Sequence, residues 1–376
     1  MTLILSAVLL IITIGIGIYQ WLKKPQFRSP KPFQPKQDLK ANHRYSQFHN
    51  AAHPSQRVKA GGELKALFTF LVQRNARAIP ATPVSSYKSN LHQLQREQNI
   101  VIWMGHSTSY IQLDGLCFLV DPVFSDNASP IPRTNRPFVG SNIYQPNDIP
   151  DIDYLLITHD HWDHLDYPTL HALRYKVAHV ITPLGIGSYL QQWGYQPAQI
   201  QECDWQQSIQ TSSHVTIECL PSQHFSGRML KKNPTLWASF ALIGSQRVYL
   251  SGDSGYGPHF QAIGEQLGPF DIALLECGQY NHAWPDVHMF PQQTVQAAID
   301  LQAKAIIPQH NSKFKLSNHD WDDPLKQISA LSLDKPYQLL TPMIGQVVDC
   351  QQPQHFSHWW TSTEPVTIRE TSTSDI

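Results

Sequence analysis

Hydrophobic positions divide the chain into one long apolar run at its start and, from residue 99 onward, many short runs separated by polar turns. The short runs predict strands at 100–104, 110–114, 116–120, 154–158, 179–182, 215–220, 237–243, 247–250, 272–276 and 305–307. Helices are predicted near Asp166 with Pro168 in the first turn, and at 185–193 and 291–301. Strands outnumber helices and several connections have hairpin length, so the predicted fold class is an α/β layered sandwich.

The long apolar run covers residues 2–22 and contains no charged side chain. As a helix with a rise of about 1.5 Å per residue, it is long enough to cross a hydrocarbon core of about 30 Å. It begins directly after Met1 and ends with Tyr19, Trp21 and two lysines, which favours an uncleaved transmembrane anchor over a cleaved signal peptide. A buried core helix is the alternative interpretation.

Residues 23–45 form a basic, proline-rich segment, with five lysines and two arginines against the single acid Asp38. Its prolines predict a stiff, extended linker, and its positive charge predicts that the following domain lies in the cytoplasm, at the inner membrane if the source is a bacterium. Residues 46–98 are predicted to form a helical or irregular extension, with an amphipathic helix at 63–73. Residues 351–376 are predicted to form a polar, loose tail.

The amino-acid composition indicates which partners are expected and whether the cysteines are reduced. The 376 residues are 41% hydrophobic, which is enough for a sizeable core, and the net charge of -1 gives no basic field for nucleic acid. The five cysteines are an odd number without a CxxC pair, so neither a disulfide framework nor a thiolate zinc site is expected. The cysteines are predicted to be reduced and mostly buried.

Five predicted strands lead directly into a histidine or an aspartate. These residues are Asp121, His159, His224, Asp253 and His310. Strand ends at one edge of a sheet bring together side chains that are distant in sequence, so we expect these residues to converge. Taken singly, His224, Asp253 or His310 is more typical of a capping or core residue than of a ligand.

The densest local pattern is His159-Asp160-His161-Trp162-Asp163-His164, which has the form HxHxDH. In a turn that leaves a strand, His159 and His161 point the same way, whereas Asp163 and His164 reach a second position. Imidazole and carboxylate ligands suit Zn²⁺ at about 2.0 to 2.2 Å, with Fe or Mn possible and Ca or Mg disfavoured. A solvated polar loop is the alternative, but the pattern directly follows a buried strand.

The order of these motifs resembles the metallo-β-lactamase fold, an αββα sandwich, over about residues 97–345. HxHxDH is followed by PSQH (221–224), SGDSGY (251–256) and IIPQH (306–310). The segments at 100–130, 155–167, 242–260 and 288–298 are similar to the branch that contains N-acylphosphatidylethanolamine-hydrolysing phospholipase D and related bacterial metal-dependent hydrolases. The resemblance implies a hydrolase domain over residues 99–350, preceded by the transmembrane helix.

The resemblance also implies a set of ligands and catalytic residues. His159, His161 and His224 would hold one metal, Asp163, His164 and His310 the other, and Asp253 would bridge the two. Asp163 and Asp253 would then be catalytic as well as ligating. His288 matches an active-site histidine position of the family and is a candidate for binding substrate phosphate or assisting the leaving group, although a surface histidine beside a helix start is the alternative. Asp121 is a candidate for orienting an imidazole ligand, and His106 for either a structural or a functional hydrogen bond.

These residues imply a zinc-dependent hydrolase in which two Zn²⁺ ions activate a hydroxide. The expected reaction is phospholipase D-type cleavage of N-acylphosphatidylethanolamine-like membrane lipids, with a small phosphodiester as a simpler substrate. Hydrolysis of a carboxylic ester, lactone or amide is the second hypothesis, and a non-enzymatic metal-binding membrane protein is the third. Asn311, where the phospholipase has an aromatic residue, and the segment 274–284 depart from the phospholipase pattern, so the substrate is the least determined part of the prediction.

Overall fold

The structure is a computed structural model that describes residues 2–34, 39–44, 46–51, 75–229, 231–352, 354–361 and 369–370. The amphipathic helix predicted at 63–73 lies outside the described residues. The described α-helices are α1 (Thr2–Leu22), α2 (Tyr167–Leu173), α3 (Gly187–Gln192), α4 (His259–Leu267), α5 (Pro291–Asp300) and α6 (Asp323–Leu331).

Two seven-stranded sheets form the body of the molecule. The first contains, in spatial order, Val347–Asp349, Ile100–Trp103, Ser109–Leu113, Leu116–Val120, Ile152–Leu156, Val177–Pro183 and Ile200–Cys203. The second contains Gln207–Gln210, Thr216–Leu220, Ser239–Ile243, Arg247–Leu250, Ile272–Glu276, Ala305–Gln309 and Gln338–Leu339. In each sheet the first four strands pair antiparallel and the last four pair parallel.

Alternating side chains of the strands fill three apolar layers. In the strand Ile100–Trp103, Val101 and Trp103 enter the core between the sheets, whereas Ile100 and Ile102 face the helices outside. The outer face of the first sheet packs on α2 and α3, and that of the second sheet on α4, α5 and α6. Because both faces of each sheet are covered, central strands such as Leu116–Val120 are continuously apolar rather than alternating. The predicted α/β sandwich with an αββα order of layers is confirmed.

Several polar elements were not predicted from the hydrophobic pattern. The edge strands Gln207–Gln210 and Ile200–Cys203 carry mostly exposed or half-buried polar side chains, and α4 and α6 have only narrow apolar stripes. Two short pairs of strands lie outside the two large sheets, Asn42–Arg44 with Gln47–His49 and Tyr87–Lys88 with Arg369–Glu370.

Helix α1 is long and apolar enough to cross a membrane by length and composition. Its window Leu5–Leu22 has a mean hydropathy of 2.0, and none of that window is buried against the rest of the chain. Apart from the half-buried Trp21, the apolar side chains described in this helix are exposed, as expected for a segment that does not belong to the core of the sandwich.

The segments on either side of the domain pack against it more closely than the sequence predicts. In the linker, Phe27 is buried, and the indole Nε1 of Trp193 donates to the carbonyl of Pro25 over 3.2 Å. In the C-terminal segment, Trp359 and Trp360 belong to the core between the sheets. These large apolar side chains are buried because they gain more from burial than the chain loses by being ordered.

Candidate metal centre

The HxHxDH segment forms a tight turn between the strand Ile152–Leu156 and α2. The backbone N–H of Leu165 donates to the carbonyl of His161 over 2.8 Å, which closes the turn. His159 and His164 are buried, whereas His161 is half-buried and reaches the surface. The parallel strands of both sheets end at this edge, so the turn faces the loops that follow the strands of the second sheet.

One group of four candidate ligands consists of His159, His161, His224 and Asp253, whose ligand atoms lie within 4.8 Å of one another. His161 Nδ1 lies 2.9 Å from His159 Nε2 and 3.2 Å from His224 Nε2. Asp253 Oδ2 lies 3.7 Å from His159 Nε2 and 3.6 Å from His224 Nε2. These are the residues that the resemblance assigns to the first metal together with the bridging aspartate.

A second group consists of His106, Asp163, His164 and His310, also within 4.8 Å of one another. Asp163 Oδ2 lies 3.3 Å from His310 Nε2 and 3.6 Å from His164 Nε2. Asp253 reaches this group too, because its Oδ1 is 3.2 Å from His164 Nε2 and its Oδ2 is 3.2 Å from His310 Nε2. Asp253 therefore lies between the two groups, where a bridging carboxylate is expected.

The donor set fits a pair of divalent cations. His164 Nε2 and Asp253 Oδ1 are buried and form no hydrogen bond. The second ring nitrogens of two other histidines are occupied, since His159 Nδ1 lies 3.0 Å from Thr158 Oγ1 and His224 Nδ1 lies 3.0 Å from the Val287 carbonyl. Their Nε2 atoms are left pointing at the centre. Nitrogen and carboxylate donors that converge without protons of their own are the ligands that a transition metal or zinc ion requires.

The charge states of two histidines and two aspartates agree with this donor set. Burial lowers the pKa of His159 and of His224 well below the usual value, so both imidazoles are neutral. Burial alone would raise the pKa of Asp163 and Asp253, but His164 and its neighbours hold both well below the usual range. Neutral imidazole and ionised carboxylate are the metal-binding forms of these side chains.

Asp121 orients one of the candidate ligands. Its Oδ2 lies 2.8 Å from His164 Nδ1 and accepts a hydrogen bond from Thr158 Oγ1 over 2.6 Å, while its Oδ1 accepts from the Thr158 N–H over 2.8 Å. This is the geometry expected of a carboxylate that fixes the ring of a ligating histidine. Asp121, His106 and His310 all adopt a positive φ, a strained conformation that clusters at functional sites.

His106 lies inside the centre rather than beside it. Its Nε2 is 2.8 Å from Asp163 Oδ2, and its ring is buried against His310 and Phe314. Burial and the neighbouring His310 lower its pKa to about 3, so the ring is neutral and donates to the Asp163 carboxylate. This position leaves His106 as a partner that orients Asp163 or as a further ligand of the second group.

Glu276 is a buried carboxylate that the sequence analysis did not single out. It lies at the end of the strand Ile272–Glu276 and contacts His288 Nδ1 closely, and its Oε1 is 3.3 Å from His310 Nδ1. Its Oε2 accepts a hydrogen bond from the Ser254 N–H over 2.6 Å. The signal was present in the sequence, because the predicted strand 272–276 also ends in an acidic residue at the same sheet edge.

His288 lies at the opening of the centre. Its side chain is 14% exposed, its ring is stacked 5.1 Å from that of His310, and it forms a third overlapping group of candidate ligands with Asp253 and His310. The exposed Phe225 also lies beside the centre, with its ring centroid 4.5 Å from that of His161. Asn311, in contrast, is buried and donates to the carbonyls of Cys277 and Gln309, so it does not line the opening.

Comparison with known proteins identifies the family. Residues 117–311 match the beta-lactamase superfamily domain. An uncharacterised protein of Mycobacterium tuberculosis is 38% identical over 303 residues, which cover 79% of this chain and 81% of the relative. The N-acyl-phosphatidylethanolamine-hydrolyzing phospholipase D 1 of Caenorhabditis elegans is 30% identical over 268 residues, which cover 65% of this chain and 74% of the relative.

The fold is also similar to that of a solved metallo hydrolase from the archaeon Ignicoccus hospitalis. The TM-score is 0.51 at 21% identity, and the match covers 67% of this chain and 97% of that chain. This similarity concerns the fold alone. The chain belongs to the metallo-β-lactamase superfamily, in the branch of N-acylphosphatidylethanolamine-hydrolysing phospholipase D and related metal-dependent hydrolases.

Proposed function

We propose that this metal-dependent hydrolase is a two-metal phosphodiesterase that cleaves N-acylphosphatidylethanolamine-type membrane lipids by a phospholipase D reaction. The observation that carries the proposal is the position of Asp253, whose carboxylate contacts histidines of both groups: Oδ2 lies near His159 and His310, and Oδ1 lies near His164. In this assignment His159, His161 and His224 hold the first metal. Asp163, His164 and His310 hold the second, and Asp253 holds both.

Zinc is the metal proposed for both sites, with iron or manganese as the alternatives, because five neutral or neutralisable imidazoles and two carboxylates form a mixed nitrogen and oxygen donor set. A bound metal pair supplies an activated water nucleophile and polarises the phosphoryl oxygen.

The protein's own contribution is to orient these groups and to handle the leaving group. Asp163 and Asp253 are held in place by contacts to His106, His164 and His310, and they are the carboxylates nearest to the reacting centre. Because Glu276 occupies His288 Nδ1, Nε2 is the nitrogen that His288 presents to substrate. In this position His288 binds the phosphate or gives a proton to the departing alkoxide.

The lipid substrate is supported by the named phospholipase relative and by α1. We propose that α1 anchors the protein as a single membrane span, with the catalytic domain on the cytoplasmic side where the basic residues of 23–44 lie. An enzyme held at the bilayer meets lipid head groups at a high local concentration.

The test is to reconstitute the full chain with zinc in vesicles that contain N-acylphosphatidylethanolamine and to measure phosphatidic acid release. A soluble aryl phosphodiester and an aryl ester are assayed in parallel. We expect D253A to abolish hydrolysis and to reduce the metal content from two ions per chain to one or none. D126A changes an exposed aspartate outside the centre and should keep both the activity and the two metal ions. Cleavage of the soluble phosphodiester without lipid cleavage would exclude the lipid as the substrate. Cleavage of the ester alone would favour the hypothesis of a hydrolase that acts on carbonyl compounds.

A further inference from the structure

We propose that the loop of residues 225–229 and 231–232, called here the rim loop, is a second membrane contact that lies in the head-group layer of the bilayer spanned by α1. The partner is a leaflet with anionic lipids. The inference rests on the proposed function in one respect, since it takes α1 as the membrane anchor. Beyond the anchor, the rim loop would give the protein a second surface, next to the metal centre, that contacts the lipid substrate.

The rim loop exposes apolar and basic side chains side by side. Phe225 is 42% exposed and Met229 is 44% exposed, and the next described residues, Lys231 and Lys232, are exposed as well. Large apolar side chains next to lysines are typical of segments that insert shallowly into a membrane interface, because the apolar groups enter the acyl boundary and the lysines attract anionic head groups.

A short series of contacts joins the rim loop to the end of α1. The ring of Trp21 lies 4.3 Å from that of Phe27, and the ring of Phe27 lies 5.5 Å from that of Trp162. The indole Nε1 of Trp162 then donates to the carbonyl of Arg228 over 2.8 Å. Trp21 and the lysines that follow it have the composition of a membrane–water interface. Three contacts separate that end of the helix from the rim loop, so both lie near the same membrane depth.

The backbone of the rim loop is fixed, which keeps its exposed side chains directed outward. The buried Arg228 donates from one nitrogen to the carbonyls of Asp160 and Leu165, over 3.0 and 2.7 Å, and its guanidinium lies 3.9 Å from the centre of the Trp162 ring. The Gly227 N–H donates to Asp160 Oδ1 over 2.7 Å. Gly227 has a φ of +133°, and a Cβ there would come within 2.5 Å of the Lys231 carbonyl, so the turn accepts only glycine.

The same loop borders the opening of the metal centre. The ring centroid of Phe225 lies 4.5 Å from that of His161, the half-exposed member of the first ligand group. A head group that contacts the rim loop is thus one side chain away from the candidate metals. The basic residues at the end of α1, Lys23, Lys24 and Arg28, are exposed and add to the attraction of anionic lipid.

The experiment measures membrane depth and needs no activity. The full chain carrying C350S, which removes the one cysteine that is not buried, is labelled with an environment-sensitive fluorophore at M229C and reconstituted in phosphatidylcholine–phosphatidylglycerol vesicles. The matched control is L333C, at an 82% exposed leucine in the turn before the strand Gln338–Leu339, at the sheet edge opposite to the centre. A label at I12C, within α1, reports on the anchor.

We expect head-group spin-labelled lipids to quench the fluorophore at residue 229 at least several-fold more than at residue 333, and mid-bilayer quenchers to act on residue 12. Quenching at residue 12 without quenching at residue 229 would overturn the rim loop as a contact while leaving the anchor and the hydrolase intact. Absence of quenching at residue 12 would overturn both the anchor and this inference. Neither result depends on whether lipid is the substrate.

A second variant connects the surface to turnover. M229S/K231S/K232S is expected to raise the KM for lipid in anionic vesicles about 30-fold, since the two lysines near an anionic surface together contribute on the order of 2 kcal/mol. The kcat for a soluble phosphodiester should be unchanged, because none of the three side chains contacts the ligand groups. L333S/K335S is the matched control and should change neither constant. Equal effects on both substrates would contradict a membrane role.

Discussion

Glu276 shows how one buried side chain connects a candidate ligand to His288, which is proposed to face substrate. Its carboxylate contacts His288 and His310 together and is held by the Ser254 N–H. A buried acid in this position fixes which ring nitrogen of each histidine is presented to the centre.

We therefore expect E276Q to lower kcat about 10- to 100-fold while both metals remain bound, since the amide keeps the shape but loses the charge that orients two imidazoles.

H288N should lower kcat without changing the metal content. Elemental analysis and steady-state kinetics on the same preparations distinguish the two effects. Full activity of H288N would contradict the proposed role of His288 at the leaving group. His288 would then be only a surface histidine beside the start of a helix.

Lys313 is a second residue with an unusual environment. Its ammonium is fully buried, donates to the Val123 carbonyl over 2.8 Å and lies near the rings of Phe124 and Phe314. Burial lowers the pKa of Lys313 from 10.5 to about 7. Between about pH 7 and pH 10.5 the unfolded chain therefore binds a proton that the folded chain does not, so the free energy of unfolding should rise with pH in this range.

The expected slope from this one residue is at most about 1.4 kcal/mol per pH unit. Urea unfolding at pH 7.5, 8.5 and 9.5 measures it, and K313M should show a flatter dependence than the parent chain. K335M, which changes an exposed lysine, is the control and should keep the parent slope. Identical slopes for K313M and the parent would mean that Lys313 stays protonated in the folded chain.

At the scale of elements, the N-terminal linker is the part whose structure differs most from its sequence pattern. Its prolines and charges are typical of a spacer, yet Phe27 is buried against Trp162, and the Lys31 N–H donates to Ser188 Oγ over 3.0 Å on α3. Trp162 belongs to the HxHxDH turn. The linker thus supports the turn that carries four of the candidate ligands.

This contact predicts that F27A destabilises the fold by about 3 to 5 kcal/mol, as for other buried phenylalanines, and accelerates the loss of metal to a chelator. Y175A removes an exposed aromatic residue elsewhere on the surface and should change neither property. Differential scanning calorimetry and a chelator competition assay provide the two measurements. Parent-like metal release by F27A would show that the linker packs on the turn without supporting it.

The strands of the two sheets were predictable to different degrees. Central strands such as Leu116–Val120 and Ile272–Glu276 are buried on both faces and appear in the sequence as continuous apolar runs, which made them recognisable. Edge strands are harder to recognise. The strand Gln207–Gln210 has only one buried residue, Ile209, so its sequence shows no repeating pattern of apolar positions. Their conformation comes from pairing with a neighbouring strand, which is a long-range property.

At the scale of the whole molecule, the candidate metal centre joins the edges of both sheets. The HxHxDH turn follows a strand of the first sheet, while His224, Asp253 and His310 follow strands of the second. Metals bound between them would cross-link the two halves of the sandwich. A ligand that binds only the folded chain stabilises it by about 2.7 kcal/mol when present at one hundred times its Kd.

Removal of metal by a chelator should therefore lower the Tm by several degrees, and added zinc should restore it. D253A should lose most of this metal-dependent shift, because one change weakens both groups of ligands. Calorimetric scans of each protein with chelator and with zinc make the comparison. A Tm that is the same in both conditions for the parent chain would mean that the centre does not bind zinc in the folded protein.

The sequence by itself determined the α/β class, the central strands and the strand-end positions of the candidate ligands, because burial on both faces and the HxHxDH pattern are local properties that single segments carry. Only the tertiary structure decided that His106 and Glu276 belong to the centre and that Asn311 does not. The packing of the linker on the turn was also decided only at this level. These features depend on which loops meet across the two sheets. The distance between two such loops is set by the packing of the sheets and cannot be read from a single segment of the sequence.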